Sequence, residues 1–296
     1  LFYIKYTTEP GQSLFVTGNI PELGNNNEQA GFALTWLDHQ FWYGCIEVNT
    51  NEVARIQYSY IFKNKEQELL HEGGQQRTAD LTKTGMEELQ LMDSWNPSGA
   101  YENIFYTDPF QKVLLKDQGT GIKIKSPKSF THLFRVKAPL LKKHEVIVLS
   151  GAATALKEWN TTDPCIMSLE TDWWAIKIKL PKEALPLIYK YGIYNVKEKS
   201  FVAFEEGDNR LLHGDAHNKK LTIVHDGFIR MANNTWKGAG VSIPVFSLKS
   251  NRSFGVGEFT DLKLLADWAQ KTGIKMIQLL PVNDTTSTNT FKDSYP

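Results

Sequence analysis

Side chains that could do chemistry are few in this sequence, and most arrangements that come close fail on spacing or context. Gly255-Val-Gly-Glu-Phe-Thr260 begins like a dinucleotide fingerprint, whose glycines let backbone approach a pyrophosphate at a helix start. Its last position is Thr, and it lies well past the preceding apolar run, Val241 to Phe246, so nucleotide binding is not expected. His213, Asp215 and His217 can be drawn as a metal cluster, but Gly214 breaks the helix that would align them; a surface turn without metal is expected. Cys165, beside Ile166 and Met167 and with no local His, reads as a buried thiol rather than a nucleophile. Asp284 and Asp293 are acids in a polar stretch where carboxylates also cap loops or helix ends. Trp159 is different. It occupies a polar turn beside Asn160 and Thr161, where stacking on a ligand explains a large ring better than burial does. Trp42 and Trp174 sit in apolar strand runs and read as core.

Composition narrows the partners. The 296 residues leave room for two or three domains, and 41% hydrophobic with 12% aromatic suffices for globular cores. Lys plus Arg and Asp plus Glu balance at 33 each, so no net field favours nucleic acid, an anionic membrane or a polyanionic substrate. A neutral ligand fits better. No run of about 18 apolar residues reads as a membrane span. Cys45 and Cys165 make no disulfide framework, which fits a reducing, cytoplasmic compartment. The chain begins Leu-Phe-Tyr-Ile-Lys, without Met and already strand-like, so its natural start is expected to be missing and a lost signal peptide stays open.

Residues 1–95 read as short strands between polar turns, a β-sandwich: Leu1 to Tyr6, Ser13 to Thr17, Phe41 to Val48, Arg55 to Phe62 and Leu89 to Met92. A second set comes after about 130 residues. Val16-Thr-Gly18 matches Leu149-Ser-Gly151, Leu23 matches Leu156, and Phe41-Trp42 matches Trp173-Trp174. Tyr58-Ser-Tyr60 matches Tyr189-Lys-Tyr191, and His71-Glu-Gly-Gly-Gln-Gln-Arg77 matches Phe204-Glu-Glu-Gly-Asp-Asn-Arg210. Landmarks in the same order indicate a duplication. The second sandwich is placed at 129–230, after a linker at 96–128 with a hairpin turn expected near Lys116 to Lys123. Arg77 and Arg210 are expected to be structural partners of Glu72 and Glu205.

Residues 231–296 differ. Val241 to Phe246 and Ile274 to Leu280 read as apolar strands, and between them Leu262, Leu265, Ala266 and Ala269 form one stripe of a helix. Thr260 is the expected N-cap and Gly273 the expected stop. A strand, a helix and a second strand make a βαβ unit with parallel strands.

These residues carry a family resemblance. Both sandwiches resemble family-twenty starch-binding modules, whose pattern is a strand ending in Gly, Leu-Gly-x-Trp, a Trp before a central strand, a Tyr-Lys-Tyr-like strand and Trp-Glu-x-Gly-x-Asn-Arg. The resemblance implies one glucan site in the second module, formed by Trp159, Lys190 and Phe204, with sugar faces packing on flat rings. In the first module Asn25 and Asn26 fall where a Trp would be, Ser59 replaces the Lys and His71 the aromatic, so its site reads as degenerate.

The C-terminal piece resembles the start of family seventy-seven glucanotransferases, the amylomaltase and disproportionating-enzyme group, through Gly240 to Ser250, Gly255-Val-Gly-Glu-Phe-Thr-Asp-Leu262, Gln278-Leu-Leu-Pro-Val-Asn-Asp-Thr285 and Asp293-Ser-Tyr-Pro296. The order of domains resembles the plant-type cytosolic branch of that group. The fold implied is two tandem all-β sandwiches followed by the first βαβ unit of a (β/α)8 TIM-type barrel. The activity implied is retaining transfer of glucosyl units from maltose or maltodextrin to starch, glycogen or another branched α-glucan, without cofactor or metal. Such transfer uses two carboxylates about 5 Å apart, held by later barrel strands, so no catalytic residue is expected within this chain. Residues just after barrel strands face the cleft. Ser247, Asn283 and Asp284 are therefore expected on its rim, and Asp293 and Tyr295, in the same loop, resemble family residues near the donor subsite and are expected there too. Two rivals remain at this level: a non-catalytic glucan-binding or scaffolding protein, and an amylase-type hydrolase with appended modules.

Overall fold

A computed structural model of the chain describes residues 1–82, 85–115, 121–122, 124–125, 127–214, 216–217, 219–231, 235–280 and 282. It divides into two compact units, Leu1–Asn234 and Thr235–Pro296.

In the first unit, alternation places one face of each strand inside. Phe2 and Ile4, Leu14 and Val16, and Ile56, Tyr58 and Tyr60 are buried together in one core, with Trp42 among them. The strands Phe2–Lys5, Phe41–Gly44 and Glu88–Ser94 make one layer, and Ser13–Gly18, Arg55–Lys63 and Arg77–Asp80 the other. Phe41–Gly44 is shorter than the expected run to Val48. Its partner strand begins at Phe2, opposite Gly44, so the ladder stops there. The second sandwich repeats the first: His132–Lys137, Trp173–Ile178 and Lys220–Phe228 face Glu145–Gly151, Leu187–Asn195 and Arg210–Leu212. Even the register repeats, Gly18 lying opposite Tyr58 as Gly151 lies opposite Tyr189.

The motif shared by the two halves is a buried polar knot. In the first, the Tyr58 and Tyr60 hydroxyls donate to Asp93 Oδ2 at 2.9 and 2.7 Å, and Arg77 donates to both Glu72 oxygens while its Nε lies 3.6 Å from Asp93. In the second, Tyr189 and Tyr191 donate to Asp226 Oδ2 at 2.8 and 2.7 Å, and Arg210 joins Glu205 at 2.7 Å to Asp226 at 3.2 Å. Glu72 and Glu205 also accept the backbone N–H of Tyr60 and Tyr191. Burial works against the charge of Asp93, but His225 and Arg77 outweigh it and hold its carboxyl below the usual carboxylate range. Arg210, by its hydrogen bonds above all, overcomes burial to do the same for Glu205. Both arginines are thus the structural partners that the spacing suggested.

The sequence does not announce that the two sandwiches share a sheet. Glu88–Ser94 and Lys220–Phe228, the last strand of each, pair in parallel, Leu91 opposite Ile223 and Asp93 opposite His225. The described residues thereby form one eight-stranded sheet running through both halves. Leu221 and Ile223 point into the core of the first sandwich together with Leu133 and Ala175, while Val224 points into the second and Met92 packs against it. At the seam His225 Nδ1–H donates to Asp93 Oδ1 at 2.6 Å and its Nε2 accepts from Arg135 Nη1 at 3.1 Å, an arrangement that requires a neutral ring. Burial pushes the His225 imidazole down, overriding Asp93. The linker lies against the second sandwich, Phe105 beside Phe228 and Ile229 and Leu115 beside Leu141 and Trp174, and Lys137 lies over the rings of Tyr106 and Trp173 at 4.8 and 4.9 Å. The expected hairpin turn near Lys116 to Lys123 lies largely outside the described residues.

In the second unit the strands Gly240–Ile243 and Met276–Leu279 pair in parallel, with the helix Leu262–Thr272 between them in sequence. The first strand ends before the expected Phe246 because Pro244 succeeds Ile243 and opens a turn, Val245–Ser247. Thr260 is not the cap. Glu258 and Asp261 form a capping box around a preceding turn, Phe259–Asp261, and Asp261 is fixed by Ser250 at 2.6 Å and Ser253 at 2.7 Å. Gly273 ends the helix at φ 77° as expected.

The shared core and the buried histidines can both be probed by stability. Ile223→Ala should cost about 2–5 kcal/mol, and calorimetry should show one transition for both sandwiches, shifted as a whole; two transitions with only one moved would contradict the shared core. Burial, with Lys220 nearby, pushes the His132 imidazole down to about 4. The unfolded state then binds more protons than the folded state between about 6.5 and 4, so stability falls as pH drops through that window. Below it, the depressed carboxyls of Asp93 and Glu205 lose their contribution in turn. Urea midpoints measured from pH 7 to 4.5 should decline, and His132→Phe should flatten that decline.

Candidate functional site

The turn that carries Trp159 is strained and braced. After buried Leu156 the backbone takes positive φ at three consecutive non-glycine residues, Lys157 at 59°, Glu158 at 51° and Trp159 at 63°. Each such residue costs of order 1 kcal/mol. Lys157 holds Asp163 at 2.7 Å, Thr154 holds Glu158 at 2.7 Å, and Asn160 Oδ1 accepts from the N–H groups of Thr162 and Asp163 at 2.9 and 3.1 Å. The bracing leaves the indole half-buried, with its ring edge to face with Phe204: centroids 6.1 Å apart, planes at 79°. Phe204 is propped from behind by Phe201 at 4.5 Å.

Phe204 ends the strand Ser200–Phe204, and the knot fixes the loop beyond it, because Glu205 is the residue that Arg210 and Arg230 hold. Lys190, on the neighbouring strand, donates from Nζ to the Gly207 carbonyl at 2.6 Å in the same loop. The structure thus joins Trp159 directly to Phe204 and ties Lys190 to the loop that Phe204 opens. Two rings at 79° offer apolar faces in different directions, suited to a curved ligand more than a flat one.

In the first sandwich the same backbone turn comes after buried Leu23, with φ 78°, 49° and 63° at Gly24, Asn25 and Asn26. The coincidence identifies Asn26 as the counterpart of Trp159. Ser59 lies opposite Thr17 as Lys190 lies opposite Ser150, and His71 opposite Ile61 as Phe204 lies opposite Gly192. His71 Nε2 sits 3.7 Å from Glu28, and these positions offer no benzene or indole face.

Of the residues expected on a cleft rim, Ser247 is exposed and its Oγ donates to the Pro244 carbonyl at 2.8 Å. Asn283, Asp284, Asp293 and Tyr295 lie outside the described residues. Cys165 is half-buried rather than buried; its Sγ faces the Ala155 carbonyl at 3.7 Å, and burial pushes its thiol up, away from nucleophilic use. Among the described residues no group of three or more His, Cys, Asp or Glu is placed to hold a metal, and no helix is long and apolar enough to cross a membrane. Among the exposed aromatics that the sequence reading does not single out is Tyr101, on the linker turn Tyr101–Tyr106. Its one signal in the sequence is an aromatic directly after the turn Pro97-Ser-Gly-Ala100, whose residue types otherwise speak only of a change in chain direction.

With this geometry in place, comparison with known proteins is direct. A family model described as a starch binding domain matches residues 1–90 and 131–224, and the chain belongs to that family, carrying the domain twice. A second model, described as 4-alpha-glucanotransferase, matches residues 243–296. The chain is 32% identical over 316 residues to "4-alpha-glucanotransferase DPE2" of Oryza sativa subsp. japonica, an alignment covering 100% of this chain and 32% of the relative. It is 52% identical over 46 residues to the "4-alpha-glucanotransferase" of Chlamydia pneumoniae, covering 16% of this chain and 9% of the relative. The chain therefore spans about a third of the rice relative and under a tenth of the chlamydial one. A solved family 20 carbohydrate-binding module of a maltotetraose-forming amylase from Pseudomonas saccharophila superposes with TM-score 0.27 at 15% identity, covering 32% of this chain and 97% of that one.

Proposed function

We propose that this chain is the N-terminal part of a 4-α-glucanotransferase of the plant-type cytosolic kind, which moves glucosyl units from maltose or maltodextrin to a branched glucan such as starch or glycogen. Residues 1–95 and 129–230 are its two β-sandwich modules, 96–128 their linker, and 231–296 the opening of its (β/α)8 barrel. The second module takes the glucan on Trp159 and Phe204, with Lys190 beside them as a hydrogen-bond donor. The first, with Asn26, Ser59 and His71 in those places, contributes through the shared sheet instead.

The observation that carries this reading is the Trp159–Phe204 pair, held half-exposed on a turn whose left-handed backbone recurs in both repeats while the ring stands in only one. Balanced charge fits a neutral polymer. Ser247, Asn283, Asp284, Asp293 and Tyr295 are assigned to the cleft rim, and the two carboxylates of retaining transfer to barrel strands that the chain does not contain.

Sedimentation with glycogen or amylopectin tests the site. Trp159→Ala with Phe204→Ala should weaken retention at least about tenfold, or 1.4 kcal/mol, at unchanged melting temperature. Retention equal to the parent chain would remove the assignment.

A further inference from the structure

A cavity of about 300 Å³ lies between the linker and the end of the second sandwich, lined by Tyr101 and Phe105 on one side and by Glu206, Phe228, Arg230 and Met231 among others on the other. We propose that it is a further glucan subsite, with Tyr101 as stacking face and Glu206 and Arg230 as hydrogen-bonding groups. The proposal rests on the glucan-binding reading above and extends it to a second place on the surface.

Tyr101 is 56% exposed, yet its ring is not adrift: Phe105, 4% exposed, meets it edge-on at 6.1 Å and 90°, and Phe110 braces Phe105 at 5.2 Å. A propped, uncovered ring loses little entropy on stacking. Glu206 is exposed, and its carboxylate bonds to none of the described residues. Arg230 gives Nε to Glu205 at 3.2 Å and Nη2 to the Asp208 carbonyl at 2.7 Å, which fixes the guanidinium while Nη1 bonds to none of the described residues. One aromatic face, an acceptor and an oriented donor around a cavity at the lower end of small-molecule size suit a neutral polyhydroxyl ligand.

Position favours the same polymer as at the first site. Glu206 is two residues from Phe204, under about 8 Å along the chain. The loop between them and Arg210 is gripped from both sides, Lys190 holding the Gly207 carbonyl and Arg230 that of Asp208. A glucan that passes Phe204 and crosses this loop meets Glu206 next. In the first sandwich the corresponding loop is instead tied to the linker by Asn96, which donates to the Gly73 carbonyl at 2.7 Å and to Asn103 at 2.8 Å.

Calorimetric titration of the full chain with maltotriose and maltoheptaose separates a short ligand from one long enough for both places. Tyr101→Ala should weaken maltoheptaose roughly tenfold and leave maltotriose unchanged, and Glu206→Gln, which disturbs no bond of the fold, should act in the same direction. In a Trp159→Ala background, adding Tyr101→Ala should abolish the remaining maltoheptaose binding. Maltoheptaose affinity unchanged by both Tyr101→Ala and Glu206→Gln overturns the subsite and leaves the Trp159 reading standing. Loss on Tyr101→Ala with none on Trp159→Ala supports the subsite against that reading. Binding of neither sugar by the parent chain sinks both.

Discussion

Asp93 and Asp226 each lie inside a sandwich, taking the hydroxyls of two tyrosines and facing an arginine that a glutamate holds in turn. None of the charged groups in either half tolerates burial alone; removing one partner of such a pair leaves an uncompensated charge, at a cost of about 3–5 kcal/mol. The knot therefore dictates that Tyr-x-Tyr, Glu, Arg and Asp occur together, and that the loop from Glu72 to Arg77, or Glu205 to Arg210, closes in one way. Phe204 directly precedes Glu205. A run that reads in sequence as a sugar-binding motif is thus mainly a folding device, and the aromatic at its edge is positioned because the device is rigid.

The same constraint reaches across the seam. Asp93 belongs to the first knot, yet its other oxygen receives His225, the neighbour of Asp226 in the second. Because Glu88–Ser94 and Lys220–Phe228 run in parallel side by side, successive residues of each alternate between the two cores. A module lacking the aromatic face still has a physical role in this arrangement. It covers Leu133, Ala175, Leu221 and Ile223, which a solitary second sandwich would expose to water.

The duplication, most strand positions and the closeness of Trp159 to Phe204 are legible in the sequence, because each rests on side chains that repeat or break the repeat at matching places. The parallel seam is not, because each last strand also reads as an ordinary edge strand of its own sandwich. Its trace lies in Lys220 to Phe228, where Leu221, Ile223 and Val224 leave no face that is plainly solvent-side. The strand end at Ile243 and the cap at Glu258 escape for local reasons, Pro244 in one case and a carboxylate pair competing with Thr260 in the other. Tyr101 escapes because turn residues signal backbone direction and say nothing of which neighbouring ring will be propped in the open.

The central claim, that glucan is held by the ring pair of one repeat and not by its polar counterpart in the other, is tested most directly by an NMR titration of the labelled chain with maltoheptaose. The account predicts shifts at the Trp159 indole N–H, Lys190 and Phe204 that saturate together, with Asn26, Ser59 and His71 unmoved. Saturating shifts centred on Asn26, Ser59 and His71, with Trp159 silent, would contradict it.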